Sequence, residues 1–168
     1  GSVKVTGGVV KIAFGVFTLG IMCFLPFSLH AELNKEDCWS YLRNSYDFRA
    51  MGAYQESLNE IEKHGECDES EVKMSYFYHK GWTFHEMGEY QQAIAAFTEG
   101  MKTQTDYLFA YWRRGMAYEA LGEVKSATKD YKKAYELGLA QHGDQFMTFI
   151  EKNPLAKEKL VQDWAHKK

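Results

Sequence analysis

The stretch Gly81-Trp82-Thr83-Phe84-His85-Glu86-Met87-Gly88-Glu89-Tyr90 decides the fold, because a related stretch begins 34 residues later at Gly115. The later stretch reads Gly115-Met116-Ala117-Tyr118-Glu119-Ala120-Leu121-Gly122-Glu123-Val124. The same spacing pairs residues beyond both stretches, namely Ala93 with Ala127 and Phe97 with Tyr131. A fixed period of this length predicts an array of repeated structural units.

Each copy has the pattern of two helices joined by a tight turn. Apolar and small residues recur at spacings of three and four on both sides of a Gly-Glu dipeptide. Glycine readily takes the left-handed conformation that ends a helix. Small Gly81 and Ala93 let the two helices of a copy approach closely. The pattern predicts helices at about 36–50, 54–64, 71–87, 91–102, 105–121 and 124–137.

A third, weaker copy lies upstream. It keeps a turn glycine, Gly52, which precedes Gly88 by 36 residues, so two residues are inserted between the copies. Ser45, Ser57 and His64 stand where the other copies have small apolar residues. The sequence therefore predicts three helical hairpins, of which the first is the most divergent.

These residues closely resemble the tetratricopeptide repeat, over about 38–70, 74–107 and 108–139. The resemblance implies an all-α fold, a right-handed solenoid of helix-turn-helix units within residues 32–139. Residues 140–168 continue with apolar faces, and Pro154 can begin a final helix. We expect this segment to supply capping helices, which solenoids need at their ends.

The N-terminal 31 residues have the layout of a targeting segment. After Gly1-Ser2, which looks like the scar of a removed tag, come Lys4 and Lys11 and then an uncharged apolar run over 12–29. The pattern fits a secretory signal cleaved after Ala31 or an uncleaved membrane anchor. Either alternative predicts an exported protein, periplasmic or anchored and facing an equivalent extracytoplasmic space.

Cys38 and Cys67 are the two cysteines beyond that segment. An even number of cysteines in an exported domain suggests a disulfide. The repeat register places these residues at neighbouring ends of two antiparallel helices. We therefore expect a Cys38–Cys67 bridge, with two separate thiols as the alternative.

The sequence argues against an enzyme. It contains no phosphate-binding loop, no dinucleotide glycine fingerprint, no nucleophile elbow and no histidine pair with the spacing of a helical zinc site. We expect no metal and no cofactor. The formal charge of −3 gives no reason to expect nucleic-acid binding.

The resemblance implies a binding groove, because in this family the first helices of successive repeats line a concave surface. The residues placed there by register are Trp39, Leu42, Tyr46, Arg49, Tyr78, Trp82, His85, Phe109, Trp112 and Met116, with Glu86 and Glu119 beside them. Some members clamp a terminal carboxylate in this groove; here Leu42, Tyr46, His79 and Phe109 occupy the matching positions and only Arg113 fits.

The aromatic content predicts a protein or peptide partner with a hydrophobic or aromatic segment. The predicted function is a non-catalytic interaction module, an assembly or secretion accessory. The alternative is a self-associating scaffold, a homo-oligomer whose groove is filled by its own tail or a sister copy. Membrane contact is expected only through the N-terminal segment, if that segment stays attached.

Overall fold

The computed structural model describes residues 27–67 and 72–161, with side chains over 38–67 and 73–161. The predicted signal or anchor falls largely outside the described residues, as does the end of the C-terminal segment. The described part contains helices and turns and no strand. Its helices are α1 Phe27–Ala50, α2 Tyr54–Gly65, α3 Val72–Glu86, α4 Tyr90–Thr103, α5 Leu108–Ala120, α6 Val124–His142, α7 Asp144–Lys152 and α8 Pro154–Leu160.

The first six helices form three antiparallel hairpins, α1–α2, α3–α4 and α5–α6. Successive hairpins stack, so that α2 packs on α3 and α4 on α5. This is the all-α solenoid that the repeat predicts. Two helices are longer than expected: α1 begins at Phe27 instead of about residue 36, and α6 continues to His142. No proline interrupts either extension, and α6 continues through the buried Gly138 until Gly143 ends it.

The same turn joins the two helices of each hairpin. Gly52, Gly88 and Gly122 have φ values of 76°, 80° and 76°, which favour glycine. The next residue donates its backbone N–H back to the last helical turn; Glu89 N–H, for example, binds the carbonyl of Phe84 at 2.9 Å. This closure satisfies carbonyls that would otherwise be left open at the helix end.

In the second and third hairpins, an aromatic ring of the second helix packs against a glycine of the first helix. Phe97 is fully buried, and a Cβ atom added to Gly81 would lie 2.8 Å from its ring. Tyr131 meets Gly115 in the same way, at 2.7 Å. Between α5 and α6, the Arg114 guanidinium also donates two hydrogen bonds to the buried Asp130 carboxylate, at 2.7 and 2.8 Å.

The first hairpin has a polar interior. Ser45, Ser57 and His64 are fully buried beside Ile61. The Ser57 hydroxyl donates to the Ser45 carbonyl at 2.8 Å. One ring nitrogen of His64 lies 2.7 Å from the carbonyl oxygen of Cys38. The side chain of Cys38 forms a disulfide with Cys67. The Cα atoms of the bridged cysteines are 6.2 Å apart, which is within the ordinary range.

The C-terminal helices cover the end of the third hairpin. Phe146 and Ile150 of α7, with Ala156 and Leu160 of α8, are buried in the core around Tyr131. Asn153 caps α8 by accepting a hydrogen bond from the Ala156 N–H at 3.0 Å. Within the described ranges, no helix is both long enough and apolar enough to span a bilayer.

We expect Gly81→Val to lower the free energy of unfolding by about 1–3 kcal/mol, because its side chain would overlap the buried Phe97 ring. Urea denaturation followed by far-UV circular dichroism measures the change. Ala95→Val places the same side chain on the exposed face of α4 and should cost no more than about 0.7 kcal/mol. Equal effects of the two substitutions would contradict a tight glycine–aromatic contact.

Candidate functional site

The first helices of the three hairpins share one surface. Tyr46 of α1 meets Trp82 of α3 edge to face, with ring centroids 6.3 Å apart. The Arg113 guanidinium of α5 lies 3.5 Å from the Trp82 ring centroid. Side chains of α1, α3 and α5 therefore converge on Trp82.

The ten residues predicted to line a groove differ widely in exposure. Trp39 and Tyr46 are exposed, at 40% and 53%. The half-buried ones are Trp82, His85, Phe109 and Met116. The buried ones are Leu42, Arg49, Tyr78 and Trp112, which are 6–8% exposed. For these four the structure departs from the expectation of an open aromatic surface.

The third-repeat part of the predicted surface is packed by α7. The ring of Phe149 lies 6.5 Å from that of Phe109 and 5.9 Å from that of Trp112. Trp112 keeps only 8% of its surface exposed. The physical reason is that the capping helices need an apolar surface to pack against, and the end of the third hairpin supplies it. The accessible part of the predicted surface therefore belongs mainly to the first two repeats.

Two arginines enclose the indole of Trp82. The Arg49 guanidinium carbon lies 3.9 Å from the ring centroid, and that of Arg113 lies 3.5 Å from it. At these distances the two groups would overlap on one side, so they lie on opposite faces of the ring. The Trp82 indole N–H donates to the Glu86 carboxylate at 3.1 Å. Such cation–π contacts contribute about 0.5–2 kcal/mol each.

Arg49 is a buried cation with an unsatisfied donor. It is 6% exposed, and one terminal nitrogen donates a long hydrogen bond of 3.4 Å to the Thr83 hydroxyl. Its second terminal nitrogen, Nη2, is buried without a hydrogen-bond partner in the described structure. Burial, followed by repulsion from Arg113, lowers the pKa of Arg49 to about 10. The side chain therefore stays protonated at neutral pH.

His79 packs beside this cluster in its neutral form. Its ring is inclined by 25° to that of Trp82 with centroids 6.2 Å apart, and its Nδ1 is buried without a hydrogen-bond partner within the described ranges. Burial lowers the pKa of His79 to about 3, with smaller contributions from Arg49, His64 and Arg113. Burial also lowers the pKa of His85.

An open pocket of about 440 Å³ lies next to Arg49. Its lining residues are Tyr46, Arg49, Ala50, Gly52, Tyr54, Trp82 and Glu86. The pocket therefore lies between the end of α1, the turn that follows it and the end of α3. We call Tyr46, Arg49, His79, Trp82 and Arg113 the Trp82 cluster.

Sequence reasoning placed Arg49 and Trp82 on this surface but considered Arg113 and His79 only as clamp positions. These two residues are 34 apart and therefore occupy equivalent places in their repeats. Their position relative to Trp82 follows from how the repeats are offset, which the repeat period alone does not reveal.

A comparison with protein families matches the tetratricopeptide repeat model to residues 75–107 and 110–137. These two segments therefore match the tetratricopeptide repeat, as their residues predict; the match does not include the divergent first copy. A search of curated proteins returned no significant match.

Solved structures of tetratricopeptide repeat domains share the fold. The TPR2B domain of yeast Sti1 in a complex with pHsp70 superposes with a TM-score of 0.62 and 11% identity, covering 74% of this chain and 96% of that one. The first TPR of Spaghetti (RPAP3), bound to the HSP90 peptide SRMEEVD, gives 0.59 and 19%, with coverages of 74% and 88%. The TPR domain of Arabidopsis OM64 gives 0.58 and 21%, with coverages of 71% and 98%.

Lowering the pH should destabilise the protein through His79. Its pKa in the folded state, about 3, lies below the ordinary 6.5, so the unfolded chain takes up the proton first. This contribution to stability is complete above pH 6.5 and is lost as the pH falls towards 3. Between pH 6.5 and about 5 we expect a loss on the order of 1–2 kcal/mol.

Urea denaturation at a series of pH values measures this loss. His79→Gln should make the free energy of unfolding less dependent on pH in this range. His142→Gln, at an exposed position of α6, is the matched control for the loss of one imidazole outside the Trp82 cluster. A pH dependence that is the same in His79→Gln and in the unsubstituted protein would contradict the assignment.

Proposed function

We propose that this chain is a non-catalytic interaction module that holds a segment of a partner protein against the surface of its first two repeats. The observation that carries the proposal is the Trp82 cluster, where exposed aromatic surface adjoins a pocket and a buried, unsatisfied cation. Tryptophan, tyrosine and arginine are the side chains that most often dominate binding energy at interfaces. Two similar folds, those of Sti1 and RPAP3, are in complexes with pHsp70 and an HSP90 peptide.

The proposed surface is narrower than the one that the repeat register suggests. Trp39, Tyr46 and Trp82 form its aromatic part, whereas Phe109 and Trp112 pack against Phe149 of α7. This contact also favours part of the alternative, in which the protein's own C-terminal helices fill one end of the groove. Self-association through the remaining end is the competing proposal.

We further propose that the module works outside the cytoplasm, in the periplasm or an equivalent compartment, as an assembly or secretion accessory. The basic and apolar N-terminal segment supports this location. The Cys38–Cys67 bridge also supports it, because disulfides persist in oxidising compartments.

Tyr46→Ala should weaken partner binding without unfolding the protein, because the side chain is 53% exposed and contributes little to the core. The measurement is quantitative capture from the envelope of the native cell, comparing the unsubstituted chain and the variant. A partner held by the first and depleted by about tenfold or more with the second supports the surface.

The matched control is Leu155→Ala, which removes an apolar side chain that is 42% exposed on α8. Equal capture by the unsubstituted chain and both variants would place the partner elsewhere on the molecule. Sedimentation equilibrium tests the competing proposal, since a mass that rises with concentration and is reduced by Tyr46→Ala would indicate self-association.

In cells lysed with an alkylating agent, Cys38 and Cys67 should be found unmodified and joined. Reduction should then lower the free energy of unfolding on the order of 3–4 kcal/mol in the chain-entropy model, since the bridge closes a loop with a sequence separation of 29. Peptide mapping and urea denaturation provide the two readouts. Alkylated thiols at both positions would contradict an oxidising location; a Cys38→Ser and Cys67→Ser double variant should not respond to reductant.

A further inference from the structure

We propose that the Trp82 cluster is a carboxylate-binding site that receives an aspartate or glutamate side chain from the partner segment. The inference rests on the proposed function and adds the chemistry of the ligand. The partner segment would then be acidic as well as aromatic, which the groove residues chosen from the sequence do not indicate.

Unbalanced positive charge is the first argument. Arg49 and Arg113 lie on opposite faces of one indole, and neither forms an ion pair within the described part of the chain. Arg113 donates its Nε–H to the Tyr78 hydroxyl at 3.2 Å, which is a neutral acceptor. By contrast, Arg114 forms a two-point ion pair with Asp130. The fold thus neutralises one arginine of α5 and leaves its neighbour available for an external anion.

The buried donor is the second argument. An ionic group shielded from water without a hydrogen-bond partner is costly, and Arg49 Nη2 is in this state among the described residues. A carboxylate accepts hydrogen bonds from guanidinium groups in a geometry that suits arginine well. A ligand carboxylate would therefore satisfy the orphan donor and offset the repulsion between two cations.

Access to the cluster is the third argument. Arg49 lines the pocket of about 440 Å³, and Tyr46 stands beside it with its ring centroid 5.6 Å from the guanidinium carbon. Because Tyr46 is 53% exposed, its side chain can turn without disturbing the core. Glu86 is the acidic group of the pocket lining, and it accepts the Trp82 indole N–H. Two guanidinium groups in the Trp82 cluster and one carboxylate in the pocket lining give the site a net positive charge.

The burial of Arg49 favours a side-chain carboxylate of the partner over its C-terminal carboxylate as the ligand. Arg49 is almost completely buried, so a carboxylate carried on one or two methylene groups reaches it more readily than a main-chain carboxylate does. The positions that would hold a chain end in the family's clamp carry Leu42, Tyr46, His79 and Phe109. Aromatic residues flanking the acid in the partner would pack on exposed Trp39 and Tyr46.

The test uses two random peptide libraries presented to the full chain. One library has amidated C-termini, so its carboxylates are side chains only, and the other has free C-terminal carboxylates. Each is selected on the unsubstituted protein, on Arg49→Gln, on Arg113→Gln and on Arg43→Gln. Arg43 is exposed on the same helix as Arg49, so its replacement is a matched loss of charge outside the cluster.

We expect the amidated library to yield peptides with an aspartate or glutamate next to an aromatic residue. Replacing that acid by its amide should weaken binding by at least about tenfold in fluorescence anisotropy. Arg49→Gln and Arg113→Gln should cause a similar loss, and the acid-to-amide replacement should then have no further effect on them. Arg43→Gln should stay within about twofold of the unsubstituted protein. Because Arg113 is half-buried, its variant keeps the test informative if Arg49→Gln fails to fold.

Selected peptides without acidic residues, or acids that can be replaced without loss, would overturn the inference while leaving the proposed function intact. Selection from the free-carboxylate library alone would overturn it in favour of a chain terminus. Retention of no peptide from either library would remove the proposed function and the inference together.

Discussion

The contact on which the solenoid depends is an aromatic ring packed directly on a helix backbone. In the second hairpin the ring of Phe97 occupies the space that a side chain at Gly81 would need, and in the third Tyr131 does the same at Gly115. Because these rings are buried in a close-packed core, they have no free space to move into, and they fix the distance between the two helices of a hairpin. A fixed hairpin then sets the position of the next one, which packs on its second helix.

The first hairpin achieves the same shape by different means. Ser45 and Ser57 stand where the later copies have glycine and alanine, and they replace apolar contact with a hydrogen bond between α1 and α2. His64 extends this polar core to the Cys38 carbonyl and to the Ser75 hydroxyl of α3. Since polar cores are stable only when their groups are satisfied, this hairpin depends on geometry that the Cys38–Cys67 bridge helps to hold.

The sequence predicted the parts of the fold that follow from a local rule. The period of 34 residues located the hairpins, and the glycines located their turns, because a helix-turn-helix unit needs both at fixed places. The beginning of α1 and the end of α6 were less predictable, because both helices continue beyond the repeat pattern, α6 through Gly138 as far as Gly143. The packing of Phe149 on Trp112 was not predictable, because the direction of a capping helix depends on contacts distant in sequence. For the same reason, the groove predicted from the repeat pattern included third-repeat residues, Phe109 and Trp112, that α7 covers in the structure.

The Trp82 cluster shows why equivalent positions are a poor guide to a site in a repeat protein. Arg49 lies three residues before its turn glycine, Gly52; Trp82 lies six before Gly88, and Arg113 lies nine before Gly122. The cluster thus steps back by about one helical turn in each repeat, along a diagonal across α1, α3 and α5. Such a diagonal follows from the offset between stacked hairpins, and it brings together residues that never align. Because each repeat supplies one side chain of the sandwich, the cluster exists only when all three repeats are stacked, and loss of order in the first hairpin would remove Arg49 from the indole.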